Sequence, residues 1–240
     1  MGSIQNYFEL EDDGNVPVLL SCPHGGFKKP IQIPDRNITT FPDRNTLFLA
    51  RQIIYLLKTK NIKIFYILNK IHRNKIDLNR PPGSGDAFNQ DAKEAREIHY
   101  YFHEKLKKLA KECILHYGRC LLIDFHGFTK PHEDYCDIIF GNIFSNTLDI
   151  KNGTNYNDYR DYWGLSQLVS ILSKNFTLDD GLGVSDDNLA YSGGYITHQF
   201  YRKERINALQ IELGNNIRFD LKLSNQFVDD FTSAIIKSIE

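Results

Sequence analysis

No two of the four cysteines, Cys22, Cys113, Cys120 and Cys136, stand in a C-x-x-C pair. A chain of 240 residues also needs no disulfide staples. Reduced thiols in a cytoplasmic protein are therefore expected. No apolar stretch reaches membrane-spanning length. Met1 to Asn15 lacks the basic and apolar regions of a secretion signal, and Asn6 stands where a myristoylation motif needs Ser or Thr. There is no charge excess: 29 Lys and Arg offset 30 Asp and Glu. That balance favours neither nucleic acid nor an anionic membrane as partner. Internal repeats and low-complexity tracts are missing too. What remains is ordinary globular chemistry, 41% hydrophobic and rich in Phe and Tyr, long enough for one large domain over residues 1–240. Composition leaves the oligomeric state open.

Apolar runs alternate with helical periods. Val16–Ser21, Ile62–Leu68, Arg119–Phe125, Asp137–Phe140 and Ala208–Leu213 read as strands. Asp43–Thr59 reads as a helix with Leu47, Ala50, Ile54 and Leu57 on one face, capped by Asp43 or Thr46. Ala92–Tyr117 follows as a long helix burying Ile98, Phe102, Leu106, Leu109 and Cys113, and Trp163–Ser173 and Asn225–Ile239 are further helices. Lys28–Pro42, with three prolines, is a loop, Pro81–Asp86 a turn, and Ser145–Tyr162, without a clean period, a surface loop. The alternation predicts an α/β three-layer sandwich with a central mixed, mostly parallel sheet.

Two short segments a hundred residues apart carry matching chemistry. Pro23-His24-Gly25-Gly26 and Asp124-Phe125-His126-Gly127 each place a histidine where an apolar strand meets a glycine-bearing loop, the position at which α/β folds build ligand sites. Imidazole is a preferred zinc ligand, and a catalytic site needs a third protein ligand. Asp43 is the nearest convincing carboxylate and Asp35 the weaker rival. Asp43 could equally serve as a helix cap. Glu212 is a lone carboxylate near the end of an apolar strand, a costly placement unless it has a partner or a task such as general base catalysis. Arg73 and Arg80 carry forks suited to a carboxylate, or to a structural pair with Asp77, and Asn79 adds a neutral donor beside Arg80. Gly193 and Gly194 could bring backbone close to a substrate or simply turn the chain. Asp124 could orient a ligand histidine. His99, His103, His116 and His132 lack matching partners, and Cys22 lacks the base that a thiol nucleophile requires.

Taken in order, these pieces resemble the N-formylglutamate amidohydrolases, zinc hydrolases related in fold to carboxypeptidases and aminoacylases. The matching segments are Ser21–Gly26, Asp43-x-x-Thr46, Arg73-x-x-x-Asp77-Leu78-Asn79-Arg80, Asp124–Gly127, Asp137 with Gly141, Asn188 through Tyr195, and Ala208–Leu213. The resemblance implies a Zn2+ ion held by His24, Asp43 and His126, and Glu212 as the catalytic carboxylate. It also implies Arg80 with Asn79 as the anchor for a substrate carboxylate. The expected reaction is hydrolysis of the amide bond of a carboxylate-bearing N-acyl amino acid or small peptide, N-formyl compounds included. The alternatives are a carboxypeptidase-like or other deacylating zinc enzyme, and a non-catalytic protein that binds small anions on the same scaffold. Cys22, Gly26, the chain length and the unmatched Ser145–Tyr162 segment depart from the family pattern and leave the substrate open.

Overall fold

The computed structural model describes residues 4–149 and 158–240. Its strands are β1 (Phe8–Glu11), β2 (Val18–Cys22), β3 (Phe65–Asn69), β4 (Cys120–Phe128), β5 (Ile138–Gly141), β6 (Leu178–Asp179) and β7 (Ile206–Gly214). They form one sheet in the order β1-β3-β2-β4-β7-β5-β6. The central strands β3, β2, β4 and β7 run parallel, while β1 and β5 join their neighbours β3 and β7 antiparallel. The helices are α1 (Thr46–Thr59), α2 (Lys93–Tyr117), α3 (Leu165–Leu172), α4 (Tyr195–His198), α5 (Asn215–Phe219) and α6 (Leu221–Ile239). Helices α1, α3 and α6 cover one face of the sheet and α2 covers the other. This is a three-layer α/β sandwich with a mixed, mostly parallel sheet. Among the described residues no helix is long and apolar enough to cross a membrane.

Strand alternation explains both the layers and the site. Residues of odd number in β4 and β7, Leu121, Ile123, Phe125, Leu209, Ile211 and Leu213, pack with α1, α3 and α6. Here Phe125 meets Phe227 and Phe231 of α6 at ring separations of 6.1 Å; burying such a ring contributes about 1.5–3 kcal/mol. On the opposite face the cross-strand rows change character along the strands. Leu19, Leu122 and Ala208 lie side by side under α2. The next row is Ser21, Asp124 and Gln210, and the next again pairs His126 with Glu212. The α2 face is thus apolar at its start and polar at the carboxyl ends of its strands.

Connectivity opens a crevice at the same place. From β2 the chain passes through α1 to β3 on one side, then crosses through α2 on the other face to β4. Adjacent strands whose connections leave in opposite directions define the switch point at which open α/β sheets bind ligands. His24 lies two residues beyond β2, and His126 lies in β4.

Several elements differ from the sequence reading. The strand expected at Arg119–Phe125 runs on to Phe128, so His126 sits within a strand rather than at its junction with a loop. Helix α1 begins at Thr46 after a left-handed Asn45 (φ 67°) and has no side-chain cap. Asp43 contributes only its carbonyl there, accepting the Thr46 hydroxyl at 2.6 Å. Helix α6 starts at Leu221, because Asp220 caps it by accepting the Leu223 N–H at 2.9 Å. Of the surface loop expected at Ser145–Tyr162, residues 150–157 lie outside the described residues. Its flanks are not superficial. Thr147 exchanges bonds with Ala208 of β7, its hydroxyl donating at 2.6 Å and its carbonyl accepting at 2.9 Å, and Tyr162 is wholly buried. The short elements β1, β6, α4 and α5 carry too few residues to show a period.

Candidate active site

Three ligand-type atoms meet in the crevice. His24 Nδ1 lies 3.1 Å from His126 Nδ1, and Asp43 Oδ2 lies 3.5 Å from the first and 3.3 Å from the second. Bonds of about 2.0–2.1 Å from zinc to N or O place tetrahedral ligand atoms about 3.3–3.4 Å apart, so the triangle matches one face of such a site. All three side chains are buried, and among the described residues no other trio of His, Cys, Asp or Glu converges in this way. Local structure puts Asp43 there. Its N–H donates to the His24 carbonyl at 3.0 Å. Gly25 lets the start of α1 close in, since a Cβ at that position would meet Leu47 N at 2.6 Å.

A second ring of side chains orients the first. His24 Nε2 lies 2.7 Å from Asp77 Oδ1, and His126 Nε2 lies 2.8 Å from Asp124 Oδ2. Each Nε2–H therefore points outward to a carboxylate, which leaves Nδ1 as the inward lone pair. Asp124 also accepts the Ser21 hydroxyl. Asp77 accepts Arg73 Nε at 2.9 Å and lies 3.7 Å from the buried Arg36. Arg73 reaches on to Asp43 Oδ1 at 3.3 Å. Arg73 is thus engaged with Asp77 behind the triangle and with the second oxygen of Asp43 within it, while still lining the cavity.

The triangle opens into a cavity of about 400 Å³ whose wall includes Arg80, Thr129, Tyr191, Gly193, Gly194 and Glu212. Glu212 is buried, and its Oε1 accepts Gln210 Nε2 at 2.8 Å. Gln210 in turn accepts the Gly194 N–H at 2.7 Å. Asn79 also lines the cavity, but its carbonyl oxygen accepts Ile196 N–H at 2.8 Å and so holds α4. Its side chain leaves no room for a Cβ on Gly194, which would come within 2.1 Å of Nδ2. Arg80 differs from these groups. Its side chain is exposed at the cavity wall with no hydrogen bond or ion pair among the described residues. His99 lies outside the triangle and approaches the Arg80 carbonyl at 2.9 Å, while His103 contacts Gln199. The carboxylate Asp35 pairs with Lys75, away from the histidines. Burial pushes the Cys22 thiol up to about 12, which makes it a poor nucleophile. Gln210 is the participant the sequence reading overlooked. Its signal is the polar alternation Gln210, Glu212 against apolar Leu209, Ile211 and Leu213.

The N-formylglutamate amidohydrolase family model matches residues 86–217, more than half of the chain. The chain belongs to the N-formylglutamate amidohydrolase family. A crystal structure of N-formylglutamate amidohydrolase from Ralstonia eutropha JMP134 superposes with a TM-score of 0.66 at 15% identity, covering 96% of each chain. A gene product from Agrobacterium tumefaciens gives the same score and identity, with 97% of this chain and 94% of the other covered. At that identity the two structures establish a shared fold. No curated protein matches the sequence. Membership in an amidohydrolase family makes amide hydrolysis the class of reaction.

The candidate site carries a marked electrostatic imbalance. Burial works against ionising Asp43, yet its bonds to His126 and His24 outweigh that and hold its carboxyl well below the usual range. Burial would also strip the proton from His126, but Asp124, then Asp43 and Glu212, raise its pKa well above 6.5. Burial raises Glu212 to about 7, opposed by His126 and reinforced by Asp43. A cation among these groups is favoured, and a proton on His126 competes with a metal for that place. The sign follows. A raised histidine pKa stabilises the metal-free fold fully below 6.5, and that contribution fades as pH rises through the folded-state value. The rise in Tm on adding zinc should therefore be larger at about pH 8 than at about pH 6, because metal binding releases the competing proton. Thermal unfolding with and without zinc at both pH values checks this; an equal or smaller rise at the higher pH would reject it.

Proposed function

We propose that this chain is a zinc-dependent amidohydrolase acting on carboxylate-bearing N-acyl amino acids or small peptides, N-formyl compounds included. The observation that carries the reading is the triangle of His24 Nδ1, Asp43 Oδ2 and His126 Nδ1, with sides of 3.1–3.5 Å, opening into the cavity that Glu212 lines. The donor set fits zinc. Two neutral imidazoles and one carboxylate are common catalytic zinc ligands, and both rings have the outward carboxylate partners that such ligands use. A zinc ion bound there supplies a Lewis acid that polarises the acyl carbonyl and lowers the pKa of water to about 7.

The protein groups do the rest. Glu212, held by Gln210, accepts a proton from the water whose oxygen adds to the acyl carbon. Its burial beside the triangle of ligand atoms places it to take that proton and return it. The C–N bond then breaks, and Glu212 delivers the proton to the departing amine. Arg80, without another partner among the described residues, binds the substrate carboxylate through its fork, with the Asn79 amide beside it and the Gly193–Gly194 backbone as the facing wall. Arg73 steadies Asp43 and Asp77. The single sheet supports one catalytic domain over residues 1–240. Four unpaired cysteines support the cytoplasm as its setting.

Glu212→Gln should still bind one zinc ion yet lose about 10²–10⁴ in kcat, the usual worth of a positioned base. Metal analysis beside steady-state kinetics reads both quantities, and undiminished turnover would reject the role. Arg80→Ala should weaken carboxylate substrates by about 1.5–3 kcal/mol in kcat/KM, with little effect on the corresponding amides. Equal losses for the two substrate sets would remove Arg80 as the anchor.

A further inference from the structure

A second cleft of about 430 Å³ adjoins the cavity. The two share Asp43, Gly127 and Thr129 as a common wall. Beyond that wall their linings diverge. Arg80, Tyr191 and Glu212 belong to the first alone, and Phe41, Pro42 and Phe219 to the second alone. Phe41 is 79% exposed and Phe219 55%, so two large aromatic rings flank the cleft without cover. Its floor is Arg218, whose Nε donates to the Leu213 carbonyl at 3.0 Å, Nη1 to Arg44 at 2.7 Å and Nη2 to Phe128 at 2.6 Å. The Arg218 guanidinium carbon stands 5.3 Å from the Phe219 ring centroid. Every nitrogen of that fork is committed to a backbone carbonyl, so Arg218 shapes the cleft and offers no free fork to an anion.

We propose that this cleft binds the acyl substituent of the substrate, and that the substituent is an apolar group larger than formyl, aryl or branched alkyl. The proposal rests on the amide hydrolysis proposed above. An amide has two sides. Asp43, Gly127 and Thr129 line both spaces while Arg80 lines only the first, so a substrate with its carbonyl carbon beside Asp43 and its carboxylate on Arg80 would have the second cleft next to its acyl side. A formyl group has only hydrogen on that side and leaves the cleft unused. An aryl ring would fill it against two phenylalanines, with the exposed Arg44 at the rim able to lie over the ring face.

The test compares N-formyl-, N-phenylacetyl- and N-succinyl-glutamate on the zinc-loaded protein, glutamate being the amine half in the family's name. The phenylacetyl compound should have the highest kcat/KM, by about tenfold or more over formyl, the scale on which apolar pockets discriminate. Phe41→Ala and Phe219→Ala, both at exposed positions, should each lower kcat/KM for the phenylacetyl compound by about tenfold while leaving formyl within about twofold. Phe41→Leu should keep most of the preference. Equal losses on all three substrates, or a succinyl preference that Arg44→Ala abolishes, would overturn the assignment. Turnover of the formyl compound alone would overturn it and leave the amidohydrolase reading standing. Turnover of none would sink that reading, and this inference with it.

Discussion

Three electron-pair donors of this protein are forced together in its interior. Two imidazole nitrogens and a carboxylate oxygen stand 3.1–3.5 Å apart on buried side chains at the base of the cavity. Lone pairs so placed repel unless a cation lies among them. The sheet register, the Gly25 close approach and the outward carboxylates all serve to hold this arrangement. Asp77 and Asp124 are buried carboxyl groups and costly to desolvate. They are retained where they orient His24 and His126, and Arg73, Arg36 and Ser21 satisfy their remaining acceptors.

The division of labour along the α2 face of the sheet follows from the same constraint. Where Leu19, Leu122 and Ala208 lie side by side, α2 buries them and the rows are inert. One step on, the row of Ser21, Asp124 and Gln210 can only hydrogen-bond, and it does so upward to the next layer: Asp124 to His126, and Gln210 to Glu212. The outermost row then presents His126 and Glu212 toward the cavity. Apolar core, supporting layer and cavity-facing layer are successive pairs of residues on β4 and β7, so His126 and Glu212 are positioned by the paired centre of the sheet.

Much of this was legible in the sequence because it depends on local pattern. The apolar runs announced β2, β4 and β7. Histidines near their ends, and one carboxylate inside an apolar strand, pointed to the residues that line the cavity. The uncertain residue was Asp43, since an Asp ahead of a helix also reads as a cap. Only the left-handed Asn45, which separates Asp43 from α1, frees its carboxylate to face the histidines. Contacts made across long separations were not legible. Asn79 and Gln210 are 131 residues apart, and the bond from Ile196 N–H to Asn79 spans 117. Neither pairing leaves a periodic trace. The same holds for Arg218, whose carbonyl partners lie on three separate segments.

X-ray absorption at the zinc edge, on protein loaded with one equivalent of the metal, addresses the central claim most directly. The account predicts a first shell of nitrogen and oxygen alone, with imidazole scattering from two rings at about 2.0–2.1 Å and no sulfur at about 2.3 Å. Failure to retain stoichiometric zinc, or a first shell that contains sulfur or fewer than two imidazoles, would contradict it.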